Sequence, residues 1–209
     1  MPHVYHWEIA GASVLTGAEI RTFRKKLSFL SDDMPGLRDL VLSQSQETDI
    51  PHRVAMDDFR RGDYKMRAYL LNIIASHQDA GLDTVEKTSV IDFGRCGCHE
   101  ENVRYFQDYH AHERHRGSGH LFVGTLPTTP VCEAAISLNL HGPVYYLNAM
   151  NRFDVLWNEI EMLLECMQMQ RVVVCNYTGE RLVTFLAVPG EIQIADGAGM
   201  DDVLRMISE

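Results

Sequence analysis

Apolar and polar residues alternate through residues 3–14, where Val4, Tyr5, Trp7 and Ile9 mark an opening strand that ends near Gly11. Over residues 18–30 the spacing turns helical, with Ile20, Phe23, Leu27 and Leu30 recurring. Residues 31–49 are polar and interrupted by Pro35 and Gly36, which predicts a loop holding at most one helical turn. A firmer helix is expected over residues 64–80, its inner stripe formed by Met66, Tyr69, Leu70, Ile73, Ile74 and His77, with Gly81 as its stop. Residues 88–93 are a short β-rich run, followed by the tight segment Gly94-Arg95-Cys96-Gly97-Cys98. Residues 102–110 have a helical pattern, and residues 112–119 read as a polar loop.

Residues 129–140 predict a helix with small residues in its middle, and Gly142-Pro143 then precedes a strand at 144–147. The next helix, residues 152–168, carries Phe153, Val155, Leu156, Trp157, Ile160, Met162, Leu163, Leu164 and Met167, more than one face can hold. A helix apolar nearly all round is expected to be buried on both sides. Two strands, 171–175 and 182–188, are joined by the turn Tyr177-Thr178-Gly179-Glu180. The tail from residue 192 is compatible with a last strand or a short helix. Helices interleaved with five strands predict an α/β fold in three layers, α-β-α, around a mixed, mostly parallel five-stranded sheet. No repeat or linker divides the chain, so residues 1–209 are expected to form a single domain.

Composition narrows the function. The 209 residues are 45% hydrophobic and 23% charged, a globular balance. A formal net charge of -10 argues against a nucleic-acid partner, which needs a basic footprint. No apolar run approaches the ~20 residues that span a bilayer, and no leader-like segment opens the chain, so no membrane partner is expected. Five cysteines, an odd number at spacings without a disulfide framework, predict reduced thiols and a cytoplasmic protein.

Three segments together resemble the first half of a β-ketoacyl synthase, a family with the thiolase-type fold. Residues 60–83, ending in Asp79-Ala80-Gly81-Leu82-Asp83, are similar to the family's helix and "DAGL" turn. Residues 121–143, with Leu126-Pro127-Thr128, Glu133-Ala134-Ala135-Ile136 and Leu140-His141-Gly142-Pro143, resemble its "LPNxxxGxIAIxxxLxGP" segment. Residues 88–101 match the strand and loop between them. The similarity covers roughly residues 55–180. The resemblance implies a cysteine nucleophile at the start of the buried helix, where helix-end amides favour a thiolate and an oxyanion. Eight residues beyond Pro143 stands Asn151 instead, and Cys166 and Cys175 are the sole cysteine, serine or threonine residues between Pro143 and Thr178. The family's catalytic histidines lie in a C-terminal half that has no counterpart here. In the related chain-length factors the nucleophile is also replaced, and the subunit serves an active synthase.

Asn151 therefore reads either as a helix N-cap or as a ligand-facing polar group, with Asn148 and Arg152 as neighbouring ligand-binding candidates. Cys96, Cys98 and His99, with His110, His112, His115 and His120, form a second, superficially metal-like set. The Cys-x-Cys spacing is shorter than zinc sites use, so a His-rich surface loop without metal is the expectation, with His110, His112 and His115 as weak candidates. No cofactor is expected. The helix 152–168 lacks the covering layer of a full synthase, which predicts a homodimer or a second ketosynthase-like chain as partner, and an acyl carrier protein as a further one. Two functions follow from these features. One is a non-catalytic, chain-length-factor-like subunit of fatty-acid or polyketide synthesis that binds a synthase, a carrier protein or an acyl chain. The other is an enzyme, either a condensing or acyl-transfer half-site completed by a partner or a metal-dependent activity of the His-rich loop.

Overall fold

The computed structural model describes residues 2–44, 54–94, 98–113, 115–149 and 152–208. The alternation at the N-terminus builds β1 (His3–Thr16), which runs past Gly11 and turns back at once. Thr16 pairs with Glu19, so Gly17 and Ala18 alone make the hairpin loop, and Gly17 takes the φ of +58° that such turns require. Two short strands follow, β2 (Glu19–Thr22) and β3 (Ser28–Leu30). The helix expected over residues 18–30 does not form. Ile20 falls in β2 and Leu30 in β3, Phe23 and Leu27 lie in the turn between them, and the antiparallel pair buries Ile20 and Phe29 while Leu30 is exposed. The loop expected next is in part a helix, α1 (Met34–Ser43): Asp33 caps it by accepting from the Gly36 amide at 2.7 Å. Pro35 falls in its first turn, where a missing amide proton costs nothing.

The remaining elements are α2 (Met56–Arg61), α3 (Tyr64–Ala80), β4 (Thr88–Gly94), α4 (His99–Ala111), α5 (Gly119–Gly124), α6 (Thr129–Ser137), β5 (Val144–Asn148), α7 (Phe153–Glu165), β6 (Arg171–Tyr177), β7 (Arg181–Ile194) and α8 (Met200–Ser208). Seven strands, not five, form one sheet in the order β3-β2-β1-β7-β6-β4-β5. Parallel pairing is confined to β6-β4-β5, and the other pairings are antiparallel. At the centre of the antiparallel part β1 and β7, each 14 residues long, zip along nearly their whole length.

Strand periodicity divides the core between the two sheet faces. On β6, Val173 and Cys175 face α1, α3 and α6, whereas Val172 and Val174 face α7 and α8. On β7, Leu182 and Leu186 belong to the first face and Val183, Phe185 and Ala187 to the second. The three-layer expectation holds. The expected two-sided burial of α7 does not: Leu156, Trp157, Ile160, Leu163 and Leu164 are buried in one stripe, and Asp154, Asn158 and Glu165 face solvent. The extra apolar residues, Phe153, Val155 and Met162, flank that stripe half-buried. No helix among the described residues is long and apolar enough to cross a membrane.

Gly142 shows what the Gly-Pro pair is for. Its amide donates to the Thr88 carbonyl at 3.1 Å, and the Pro143 carbonyl receives the Val90 amide at 3.0 Å, setting β5 beside β4. A Cβ at position 142 would lie 2.5 Å from the Thr88 oxygen and 2.7 Å from the Ser89 nitrogen, both backbone atoms. Gly142→Ala is therefore expected to lower stability by about 1–3 kcal/mol, read from urea unfolding, because the strand must shift to admit it. A loss within error would mean that β5 slides freely on β4.

Candidate functional site

β4 and β5 run parallel, and their carboxyl ends, Gly94 beside Asn148, precede α4 and α7 respectively. In open α/β sheets this rim is where ligands bind. Just below it, Asp92 of β4 is buried and accepts a 2.9 Å hydrogen bond from the Tyr69 hydroxyl of α3. Burial pushes the Asp92 carboxyl up to about 7, against the pull of the Tyr69 bond and of Lys65. Burial likewise holds the Tyr69 phenol well above its usual range, and the Asp92 charge adds to it. Lys65, at the start of α3, bonds Glu101 of α4 at 3.0 Å and lies over the Tyr177 ring at 5.2 Å. Burial works against its charge, but the Glu101 bond and charge outweigh burial and raise its pKa.

Cys98 is the cap residue of α4. A helix N-terminus ordinarily favours a thiolate. Here burial pushes the thiol up and outweighs the opposite pull of Lys65, which leaves it protonated and a poor nucleophile. Cys175 on β6 is fully buried, its thiol raised by burial, with the Thr184 hydroxyl donating to its sulfur at 3.6 Å. Cys166 directly follows α7 and is exposed. The cluster holds a proton near neutrality and ties α3 to β4 and α4. It brings no activated nucleophile to the rim.

Of the residues singled out in the sequence, Asn151 lies outside the described residues. Asn148 is exposed at the end of β5, and the cap position of α7 falls on Arg152. Arg152 makes no side-chain cap; its guanidinium reaches Asp154 at 2.6 Å. His110 is exposed in the last turn of α4. His112 Nδ1 lies 2.9 Å from the Asp108 carbonyl, and His115 lies 4.0 Å from Glu113. Among the described residues these histidines form no convergent donor set. The buried group around Asp92 was missed by the sequence reading. Its one signal was a carboxylate inside the apolar run Val90-Ile91-Asp92-Phe93, and its partner Tyr69 was hidden in a helical stripe.

Beyond the rim, α4 and α5 form an arm in which α4 buries no residue fully. Tyr105 stacks on Tyr109 at 6.3 Å and meets Phe122 edge-on at 5.6 Å. Around this aromatic core Val103, Phe106, Phe122, Val123 and Leu126 are each more than two-fifths exposed. Among the described strands β5 lies at the end of the sheet, with Val144, Tyr145, Tyr146 and Leu147 half-buried. Among the described residues the arm thus groups several exposed apolar side chains, whereas the apolar stripe of α7, where the sequence predicted an uncovered face, is buried.

No family model matches the chain, and no curated protein matches it. Solved structures do. The ketosynthase in complex with its chain length factor from Xenorhabdus doucetiae aligns with a TM-score of 0.53 at 13% identity, over 90% of this chain and 79% of that one. The ishigamide ketosynthase/chain length factor aligns with a TM-score of 0.58 at 11% identity, over 88% of this chain and 62% of its own. This chain has part of a ketosynthase fold. At these identities the likeness is one of fold.

Proposed function

We propose that this chain is a non-catalytic, ketosynthase-like subunit of a fatty-acid or polyketide-type condensing system, which docks on a second chain of the same fold. The observation that carries the reading is the chemistry of the β5-α7 junction. Where the family resemblance calls for a thiol the sequence has Asn151, and the described cysteines are buried and protonated or stand away from the rim. Support for docking comes from the arm, whose aromatic and aliphatic side chains Val103, Phe106, Phe122, Val123 and Leu126 are exposed. The two solved structures named above, both of ketosynthases with chain length factors, agree with a paired assembly.

Two measurements test it together. Purified chain incubated with acyl-carrier thioesters should show no acyl adduct by intact mass, and a ketosynthase from the same cell should co-elute with it. Burying a phenylalanine gains ~1.5–3 kcal/mol, so the double variant Phe106→Asp, Phe122→Asp should weaken that association ~100-fold or more. A stoichiometric acyl adduct would show an enzyme instead. Association unchanged in the double variant would move the interface off the arm.

A further inference from the structure

Among the described residues one group of metal-type donors comes together, and it lies away from the His-rich stretch: His6 of β1 with Glu161 and Glu165 of α7. We infer that this trio is a binding site for a divalent first-row transition ion of the zinc type, clasping the start of β1 to α7.

The geometry has three parts. Glu161 and Glu165 are four residues apart on α7, so their carboxylates rise from one helical face. The β1-β7 register slips beside His6: Tyr5 pairs with Ile192 and Trp7 with Pro189, so His6 stands opposite two residues of β7. His6 also gives its backbone amide to Glu161 at 3.2 Å, which fixes β1 and α7 side by side. The three donor atoms lie within 4.8 Å of one another, so small side-chain rotations bring them to the ~2.0–2.2 Å that zinc takes from nitrogen and oxygen.

The chemistry of the donors selects the ion. One imidazole and two carboxylates suit zinc, cobalt or nickel, whereas magnesium and calcium prefer oxygen alone. Three protein ligands leave a position for water. Among the described residues no ion pair engages either glutamate, so a cation there relieves the repulsion of stacked carboxylates. Trp7 of β1 also meets Trp157 of α7 at 5.8 Å, a ring contact that joins the same two elements.

The test uses tag-free, chelator-stripped protein titrated with Zn²⁺ by calorimetry and with Co²⁺ by visible absorption. One ion per chain is expected, together with a rise in melting temperature on adding Zn²⁺. His6→Ala and Glu165→Gln, both at exposed positions, should each weaken binding ~10-fold or more, and the double variant His112→Ala, His115→Ala should leave it unchanged. No binding by the parent protein, or binding that survives His6→Ala and Glu165→Gln, overturns the assignment. So does binding lost in the His112/His115 variant.

Discussion

Asp79→Ala is expected to destabilise the protein by about 3 kcal/mol, seen as a fall in melting temperature of ~6–12 °C. The Asp79 carboxylate, near the end of α3, is buried and accepts three backbone amides. Oδ2 takes those of Ala12 at 2.9 Å and Arg24 at 3.1 Å, and Oδ1 takes that of Lys25 at 2.8 Å. One side chain thus holds α3, the middle of β1 and the turn between β2 and β3. Bonds to a charged acceptor are worth more than neutral ones, and removal strands the buried Ala12 amide without a partner. Asp79→Asn should recover about half the loss, because an amide offers one oxygen and sets its own donors against the remaining amide. Urea unfolding of the three proteins reads the order directly. A loss below 1 kcal/mol for Asp79→Ala would mean that water replaces the carboxylate at all three amides.

The second large effect is one of pH. Asp92 has its pKa at about 7 in the fold, against ~3.9 in an unfolded chain, so between those values the folded state holds a proton that the unfolded state has lost. Its contribution is present below pH ~4 and disappears as pH rises to 7, on the order of 3–4 kcal/mol in all. His77 does the opposite. It is buried, with Nδ1 at 2.9 Å from the Ile73 carbonyl, and burial lowers its pKa to about 4. Its contribution is present above pH ~6.5 and is lost as pH falls to 4, on the order of 3 kcal/mol. Through the shared window the two slopes oppose, and the parent protein should show a weak pH dependence from this pair. Asp92→Asn should uncover stability that rises from pH 4 to 6.5, and His77→Leu stability that falls from pH 4 to 7. Chemical unfolding at four pH values, each variant minus parent, isolates the two groups from the surface carboxylates. Curves parallel to the parent for both variants would show that neither group titrates on unfolding.

The "DAGL" turn shows how far sequence reading reaches. Its residues resemble a family-like helix end, and α3 does stop at Gly81. What the aspartate does there was invisible, because its partners lie 67, 55 and 54 residues away. The same holds for Asp92 and Tyr69, 23 residues apart. Short-range errors had local causes. Ile20, Phe23, Leu27 and Leu30 sit at helical spacing by coincidence of two short strands and the turn that joins them, and the signal against a helix is the Gly17 hairpin turn. Pro35 looks like a breaker in sequence, yet it falls in the first turn of α1, where a helix tolerates it.

The sequence by itself determined the α/β class, the layering of helices on both sheet faces, the β4, β5 and β6 strands and the ketosynthase-like resemblance, since each rests on local periodicity or adjacent residues. It also determined that no thiol follows Pro143 at the helix start. Tertiary structure alone decided that the sheet has seven strands and is mostly antiparallel, that α7 shows one polar face, and that several apolar side chains of the arm are exposed. It alone brought His6 to Glu161 and Glu165, 155 residues on in the first case. The reason is physical: hydrogen-bond pairing between strands and the meeting of charged side chains are settled by which distant segments close on one another, and periodicity along a chain does not encode that choice.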